Sequence, residues 1–250
     1  MAVVIAIVII LTVASIAIFS PTQKPLEGIR VSVYADLGVQ TQSKVAVQHM
    51  FEWMGAEVTI FDKADLLNGI LNETDLLVMP GGCWCEVHCS IDGPTEMNIV
   101  RHYVLQGGAY FGIDGGASYA TSYRTCIFNG TLYPDVFGAG FNLTDIEVNR
   151  NSEGPDLTNM QETYTTFYES SGYFEAENMT GIIPISMYAD TTYCGMIAFE
   201  AGQGRVFLSS PHPEFEEGSL QDGTDYFDTM VDPDSEWPFM MKIAEWLLGL

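Results

Sequence analysis

The chain is predicted to be an α/β protein with a mostly parallel sheet covered by helices on both faces. Three observations predict it. From about residue 29 onward, short apolar runs alternate with stretches of helical spacing. Glycines or a Pro-Gly-Gly turn punctuate the ends of those runs. The 250 residues are 47% hydrophobic, with 12% aromatics, enough to build one domain of ordinary size around a real core.

The elements follow in order. Residues 29–34, Ile-Arg-Val-Ser-Val-Tyr, read as a first strand. Residues 42–54 place Val45, Val47, Met50, Phe51 and Met54 at helical spacing, and Gly55 closes that helix. Residues 57–61 form a second strand, followed by a short helix over 64–71. Residues 75–79 form a third strand, stopped by Pro80-Gly81-Gly82. A helix over about 95–105 ends at Gly107-Gly108, and an apolar strand then runs into Asp114-Gly-Gly and another helix. Residues 123–178 are rich in Asn, Thr, Tyr and Gly with weaker periodicity, so loops and edge strands are expected there. Phe137, Phe141, Tyr164, Phe167 and Tyr168 are expected to pack in the core or on those edge strands. Strands return at 194–199 and 205–208, the acidic, Gly-rich stretch 214–236 reads as a surface loop, and 237–248 form a closing helix.

Nine Lys and Arg stand against 33 Asp and Glu, a formal net charge of −24. Phosphate binding needs a basic footprint, so nucleic acid is excluded as a partner. The acidity itself is read as solubility in a salty or exposed environment.

Residues 2–19 are an uncharged run rich in Ile, Val and Ala, of about bilayer-spanning length. The organisation expected is a signal anchor or signal peptide over 1–19, a linker over 20–28 and the α/β domain over 29–250. Lys24 and Arg30 follow the apolar run, which the positive-inside tendency would place in the cytoplasm. Sequons at Asn72, Asn129, Asn142 and Asn178 and the presence of five cysteines point the other way. The expectation is a membrane-anchored or secreted glycoprotein with its domain outside the cytoplasm, reaching the membrane through the N-terminal helix.

Two motifs carry the chemistry. Tyr110-Phe-Gly-Ile-Asp114-Gly-Gly-Ala117 is a strand running through a small-residue turn into a helix, the elbow that lifts a nucleophile above a sheet edge. Ser209-Ser-Pro-His212-Pro-Glu214 follows the apolar strand at 204–208 and holds an imidazole and a carboxylate two residues apart, as a base and its orienter are held.

Together these motifs resemble the catalytic frame of class I glutamine amidotransferases, whose elbow reads Gly-Ile-Cys-Ala-Gly. Leu76-Leu-Val-Met-Pro-Gly-Gly82 matches the loop that supplies oxyanion-hole N–H groups in that family. With Val33-Tyr-Ala-Asp36-Leu-Gly-Val39, the motifs fall in the order of the amidotransferase-like domain at the N-terminus of some biotin-protein ligases, a domain that also occurs free-standing. The resemblance spans roughly residues 29–248. It implies a flavodoxin-like, doubly wound sheet with the site at the carboxyl ends of the strands. It also implies a catalytic set of Asp114, His212 and Glu214, with Gly81, Gly82, Gly115 and Asp36 as binding residues. Biotin transfer is not implied, because in the ligases it resides in a separate domain.

The elbow carries Asp114 where the family carries cysteine. A carboxylate attacking an amide would have to form an anhydride, so glutamine hydrolysis by the family route is not expected. The expected function is a non-catalytic module binding a small molecule or protein, with no cofactor and no metal. The alternatives are an atypical hydrolase using Asp114, His212 and Glu214, or a metal-assisted site made of the same three residues. Asp114 could equally cap the helix that begins at Gly115.

Cys83-Trp-Cys85-Glu-Val-His88-Cys89 lies just after the Pro-Gly-Gly loop. Its spacing is not a standard zinc pattern, so Cys83, Cys85, Cys89, Cys126 and Cys194 are read as disulfide candidates, with zinc or a reactive thiol as alternatives. The odd count leaves at least one unpaired. His102 is expected on a helix surface.

Overall fold

The computed structural model describes residues 24–82, 89–232 and 234–250, leaving aside the Cys89 side chain. The apolar run at 2–19, the start of the linker, Cys83, Cys85 and His88 lie outside the described residues. No helix among the described residues is long and apolar enough to cross a membrane.

The first half of the chain alternates as its sequence predicts. The order is β1 (Arg30–Tyr34), α1 (Thr41–Met54), β2 (Glu57–Phe61), α2 (Lys63–Leu67), β3 (Leu76–Met79), α3 (Pro94–Leu105), β4 (Ala109–Ile113) and α4 (Gly115–Tyr119). The second half contributes β5 (Thr131–Tyr133), β6 (Phe141–Val148), β7 (Thr163–Glu169), β8 (Tyr173–Glu175), β9 (Ile182–Tyr188), β10 (Cys194–Ala201), β11 (Gly204–Ser209) and α5 (Trp237–Leu248). Nine strands form one sheet in the order β2-β1-β3-β4-β11-β10-β9-β6-β7, and β5 pairs with β8 apart from it. The first five strands are mutually parallel. The last four join through antiparallel pairs. The result is a mixed α/β architecture around one large sheet.

Every residue of β3 and β4 is buried. Both faces of these strands are covered, so the sequence shows continuous apolar runs rather than alternation. On one face Val31, Val33, Val78, Phe111 and Phe207 pack with Met50 and Phe51 of α1 and with Met240 and Ile243 of α5. On the other, Leu77, Met79, Tyr110 and Leu208 pack with Val100 and Val104 of α3 and Ala117 of α4. The ring of Phe111 meets Phe51 edge-on at 5.4 Å.

Gly55 ends α1 in the left-handed region, at φ 99°, with its N–H bonded to Glu52 O at 3.0 Å. Gly55→Ala should cost about 1–2 kcal/mol, the usual penalty for a Cβ in that conformation. Urea denaturation measures it, and an unchanged midpoint would contradict the cap assignment. The helix expected over 64–71 breaks at Gly69 (φ 91°) into α2 and a 3₁₀ turn, Ile70–Glu73.

The middle of the chain is more ordered than its composition suggests. β6 and β7 pair over seven residues, and β9 joins β6 to β10. β6 buries only two of its eight residues, so its apolar periodicity is weak. β9 contains Pro184, which lies at an irregular stretch of its pairing with β10, and a proline argues against a strand in a sequence reading.

The disulfide expectation is corrected where it can be seen. Cys126 and Cys194 are free thiols, the first exposed at a turn and the second buried on β10, where burial pushes its thiol up to about 12. A buried core position and an exposed turn do not present their sulfurs to one another.

Candidate functional site

β4 and β11 are neighbouring parallel strands, with Ile113 opposite Ser209. The residues just beyond their carboxyl ends, Asp114 and the turn 210–214, are therefore delivered to the same edge of the sheet. Asp114 takes φ 46° and ψ −107°, a conformation that a non-glycine residue rarely adopts. Such strain costs on the order of 1–3 kcal/mol and persists only where the surroundings impose it. Here they do: Asp114 N–H donates to Ser209 O at 2.8 Å, Gly116 N–H to Pro80 O at 3.2 Å, and Ser118 N–H to Asp114 O at 2.8 Å.

The partly buried Asp114 carboxylate accepts the Gly82 N–H on Oδ2 at 3.0 Å. Burial nevertheless pushes its acid up to about 6, against the lowering influence of His212 and of the Gly82 and Gly115 N–H groups. Gly82 has room for no side chain, since a Cβ there would fall 2.2 Å from Gly38 O.

His212 is fixed through its backbone, its N–H donating to Phe167 O at 3.0 Å. The buried imidazole packs against Phe167 (ring centroids 6.0 Å apart) and Phe215 (5.6 Å). Its Nδ1 lies 3.0 Å from Glu214 Oε1. Ser43 on α1 donates its hydroxyl to the same Oε1 at 2.6 Å and accepts the Gly81 N–H at 2.8 Å. A chain of polar contacts thus runs from the Pro-Gly-Gly loop through α1 to the imidazole. Burial alone would lower the His212 pKa, but Glu214, assisted by Asp114 and Glu169, raises it to about 9. The ring is therefore an imidazolium at neutral pH. Among the described residues its Nε2 and Glu214 Oε2 have no hydrogen-bond partner, and Asp114 acts on His212 by charge.

Glu169, at the end of β7, acts by charge on both Asp114 and His212. Gln40 donates to Glu169 Oε2 at 3.2 Å and to the Tyr226 hydroxyl at 2.9 Å, and that hydroxyl reaches the same Oε2 at 3.4 Å. The sequence reading does not name Ser43, Gln40, Glu169 or Tyr226. Ser43 left one trace, a polar residue in line with the buried stripe of Val47, Met50 and Met54.

The remaining candidates fall as follows. Gly81 lies against the imidazole, where a Cβ would come 2.8 Å from His212 Cε1. Asp36 accepts the Leu37 and Lys63 backbone N–H groups at 2.7 and 3.3 Å, which makes it a local turn brace beyond β1. A cavity of about 1380 Å³ opens at the opposite end of the parallel strands, lined by Leu71, Asp75, His102 and Gln106 among others, away from this site.

Residues 29–130 match the family model described as "Biotin-protein ligase, N terminal". Among solved structures, a glutamine amidotransferase from Thermotoga maritima superposes with a TM-score of 0.63 at 11% identity, covering 89% of this chain and 99% of that one. A chain of PurLQS from Thermotoga maritima gives 0.62 at 16% identity, covering 86% and 98%. These superpositions show that the α/β fold is one shared with glutamine amidotransferases. More particularly, the domain is similar to the N-terminal part of biotin-protein ligases. The Schizosaccharomyces pombe biotin–protein ligase is 27% identical over 168 residues, 58% of this chain and 26% of the ligase, so the chain spans about a quarter of that relative's length. An uncharacterized protein of Chlamydia muridarum is 26% identical over 220 residues, 74% of this chain and 80% of that protein.

Proposed function

We propose that this protein is a non-catalytic amidotransferase-like module that binds a small molecule or a protein. The observation that carries the reading is the occupied donor set. The backbone N–H groups that would stabilise a substrate oxyanion in the family frame include Gly82 N–H, and here it is bonded to Asp114's own carboxylate at 3.0 Å. The elbow residue acts as a built-in anion in the pocket it would otherwise serve. His212 adds to this, because an imidazolium cannot take a proton from a nucleophile, and a general base works best with a pKa near the working pH. The strand order β2-β1-β3-β4-β11 supports a flavodoxin-like, doubly wound description of the parallel half.

Membrane tethering and an outward-facing domain belong to the same proposal. The apolar run at 2–19 supports the first. For the second, the side chains of Asn72, Asn129, Asn142 and Asn178 are all exposed, as glycan acceptors must be. A domain that resists protease on intact cells while a surface marker is cut would overturn that location.

The catalytic question is settled by assaying the protein on glutamine, small peptides and esters, beside Asp114→Ala, His212→Ala and Asp114→Cys. No turnover is expected from the parent or either alanine variant. A thiolate beside an imidazolium is the one arrangement here expected to react, so alkylation by iodoacetamide at position 114 of Asp114→Cys is predicted. Turnover by the parent that vanishes in Asp114→Ala would overturn the non-catalytic reading.

A further inference from the structure

We propose that the loop between His212 and α5 is a binding site for a divalent cation of the calcium type, made by Asp232, Asp234 and Glu236 at its end, with the buried Glu217 at its beginning acting on the ion by charge. Asp232, Asp234 and Glu236 can each offer one carboxylate oxygen, and those three atoms lie within 4.8 Å of one another. A cluster of acids alone would prove nothing, since exposed carboxylates gather freely on so acidic a surface. The second observation is burial without partners. Glu217 is 4% exposed, and among the described residues neither of its carboxylate oxygens has a hydrogen-bond partner. Glu236 is 1% exposed, and among the described residues its Oε1 and Asp232 Oδ2 are unpartnered as well.

These groups face one another. Asp232 and Glu217 are the strongest charges acting on Glu236, and Asp232 is the strongest acting on Glu217. The backbone brings the two segments together, with Asp232 N–H reaching Glu217 O at 3.4 Å. The charges acting most strongly on the set are carboxylates, Glu214, Glu216 and Asp234 among them.

Unpaired buried carboxylates are costly, several kcal/mol apiece on the order-of-magnitude scale, and a chain keeps them where something positive joins them. The chemistry of the donors says what. All are hard anionic oxygens, which exclude a thiolate-seeking ion. Calcium accepts about six to eight oxygens at roughly 2.3–2.6 Å in a flexible shell, whereas magnesium holds few carboxylates and keeps its waters. Acids at alternate residues 232, 234 and 236 are the spacing by which one short loop wraps an ion. Asp234 is pre-positioned, its two oxygens accepting Thr165 N–H and Gln161 Nε2, each at 3.2 Å. Each of those oxygens keeps a lone pair for the ion.

The cation would join both ends of the segment 217–236. That segment carries Tyr226, which touches Glu169 and Gln40, and Phe227, which packs 5.2 Å from Phe167. Just beyond it, Trp237 Nε1 donates to Glu214 O at 3.0 Å. Binding would therefore order one wall of the candidate site without entering it.

The test uses the full chain, stripped with EDTA and dialysed. Terbium is the first probe, because Trp237 follows Glu236 directly and can sensitise its emission. Sensitised emission saturating near about one ion per chain, and chased by calcium, is expected, with calcium raising the melting temperature by roughly 5 °C. Glu217→Gln and Glu236→Gln keep shape and relieve repulsion, so they should fold and should weaken calcium binding by at least about tenfold. Glu200→Gln, an exposed carboxylate on β10, should bind as the parent does. No sensitised emission together with no melting response to millimolar calcium would overturn the proposal. So would a calcium response that survives undiminished in both glutamine variants. Stabilisation by Glu217→Gln in a parent indifferent to calcium would show instead that the acids share protons, and would equally overturn it.

Discussion

Glu214→Leu is expected to cost about 3–5 kcal/mol of stability at neutral pH, because it leaves the His212 imidazolium buried with its partner gone. Both side chains are fully buried, and the pair is closed at 3.0 Å. The substitution also takes the acceptor from Ser43 Oγ. Urea unfolding measures the loss, and the double variant Glu214→Leu/His212→Leu should lose much less than the sum of the single changes, since the pair acts as one unit. The pH profile gives an independent reading. His212 has a folded pKa of about 9, above its ordinary unfolded value, so its contribution is fully present below about 6.5 and is lost as pH rises through about 9. That contribution is worth on the order of 3 kcal/mol. Asp114 runs in the same sense over a lower window. Its folded pKa of about 6 lies above the usual carboxylate value, so stability falls as pH rises from about 4 to about 6. A Glu214→Leu variant that loses under about 1 kcal/mol, or keeps the parent's alkaline slope, would show that the pair does not hold the turn.

Trp237→Ala should cost about 3–5 kcal/mol, the range for emptying a large aromatic site. Trp237 is 1% exposed, opens α5, and meets Trp53 edge-on at 5.7 Å. Its indole N–H is bonded to Glu214 O, so the residue packs the core and braces the turn that carries the imidazole. Trp237→Phe separates the two roles. It keeps most of the apolar volume and deletes the donor, which should cost about 1 kcal/mol for the lost bond plus a smaller packing loss. Thermal and urea melts of both variants check this. A phenylalanine variant as unstable as the alanine one would contradict the assignment of the larger share to packing.

The parallel half of the sheet was legible because it is buried on two faces, and strands so placed must be apolar at every position, as Leu76–Met79 is. The antiparallel half was hidden for the converse reason. Phe141–Val148 spends its polar residues on an open face, and Pro184 interrupts the run that becomes β9. Threonines and tyrosines in residues 163–168 were the available signal, being strand formers even without strict alternation. Within the site, Asp114, His212 and Glu214 were named because each sits in a motif whose local shape depends on nearby small residues. Ser43 and Glu169 have no such signature. A serine on a helix and a glutamate at a strand end gain their meaning from what α1 and β7 are packed against, which no local pattern encodes. The Cys126 and Cys194 thiols mark the same limit, since counting cysteines says nothing about which of them share a neighbourhood.

β7 is the last strand of the nine, and an outermost strand is an adhesive edge, ready to accept another chain's backbone. Here two of its outward groups are already taken, Thr165 N–H by Asp234 Oδ1 at 3.2 Å and Phe167 O by His212 N–H at 3.0 Å. The segment that carries the imidazole therefore doubles as a guard against self-association. Peeling residues 212–236 from the sheet would uncover a template for strand addition, which ties the colloidal behaviour of this protein to the integrity of its candidate site.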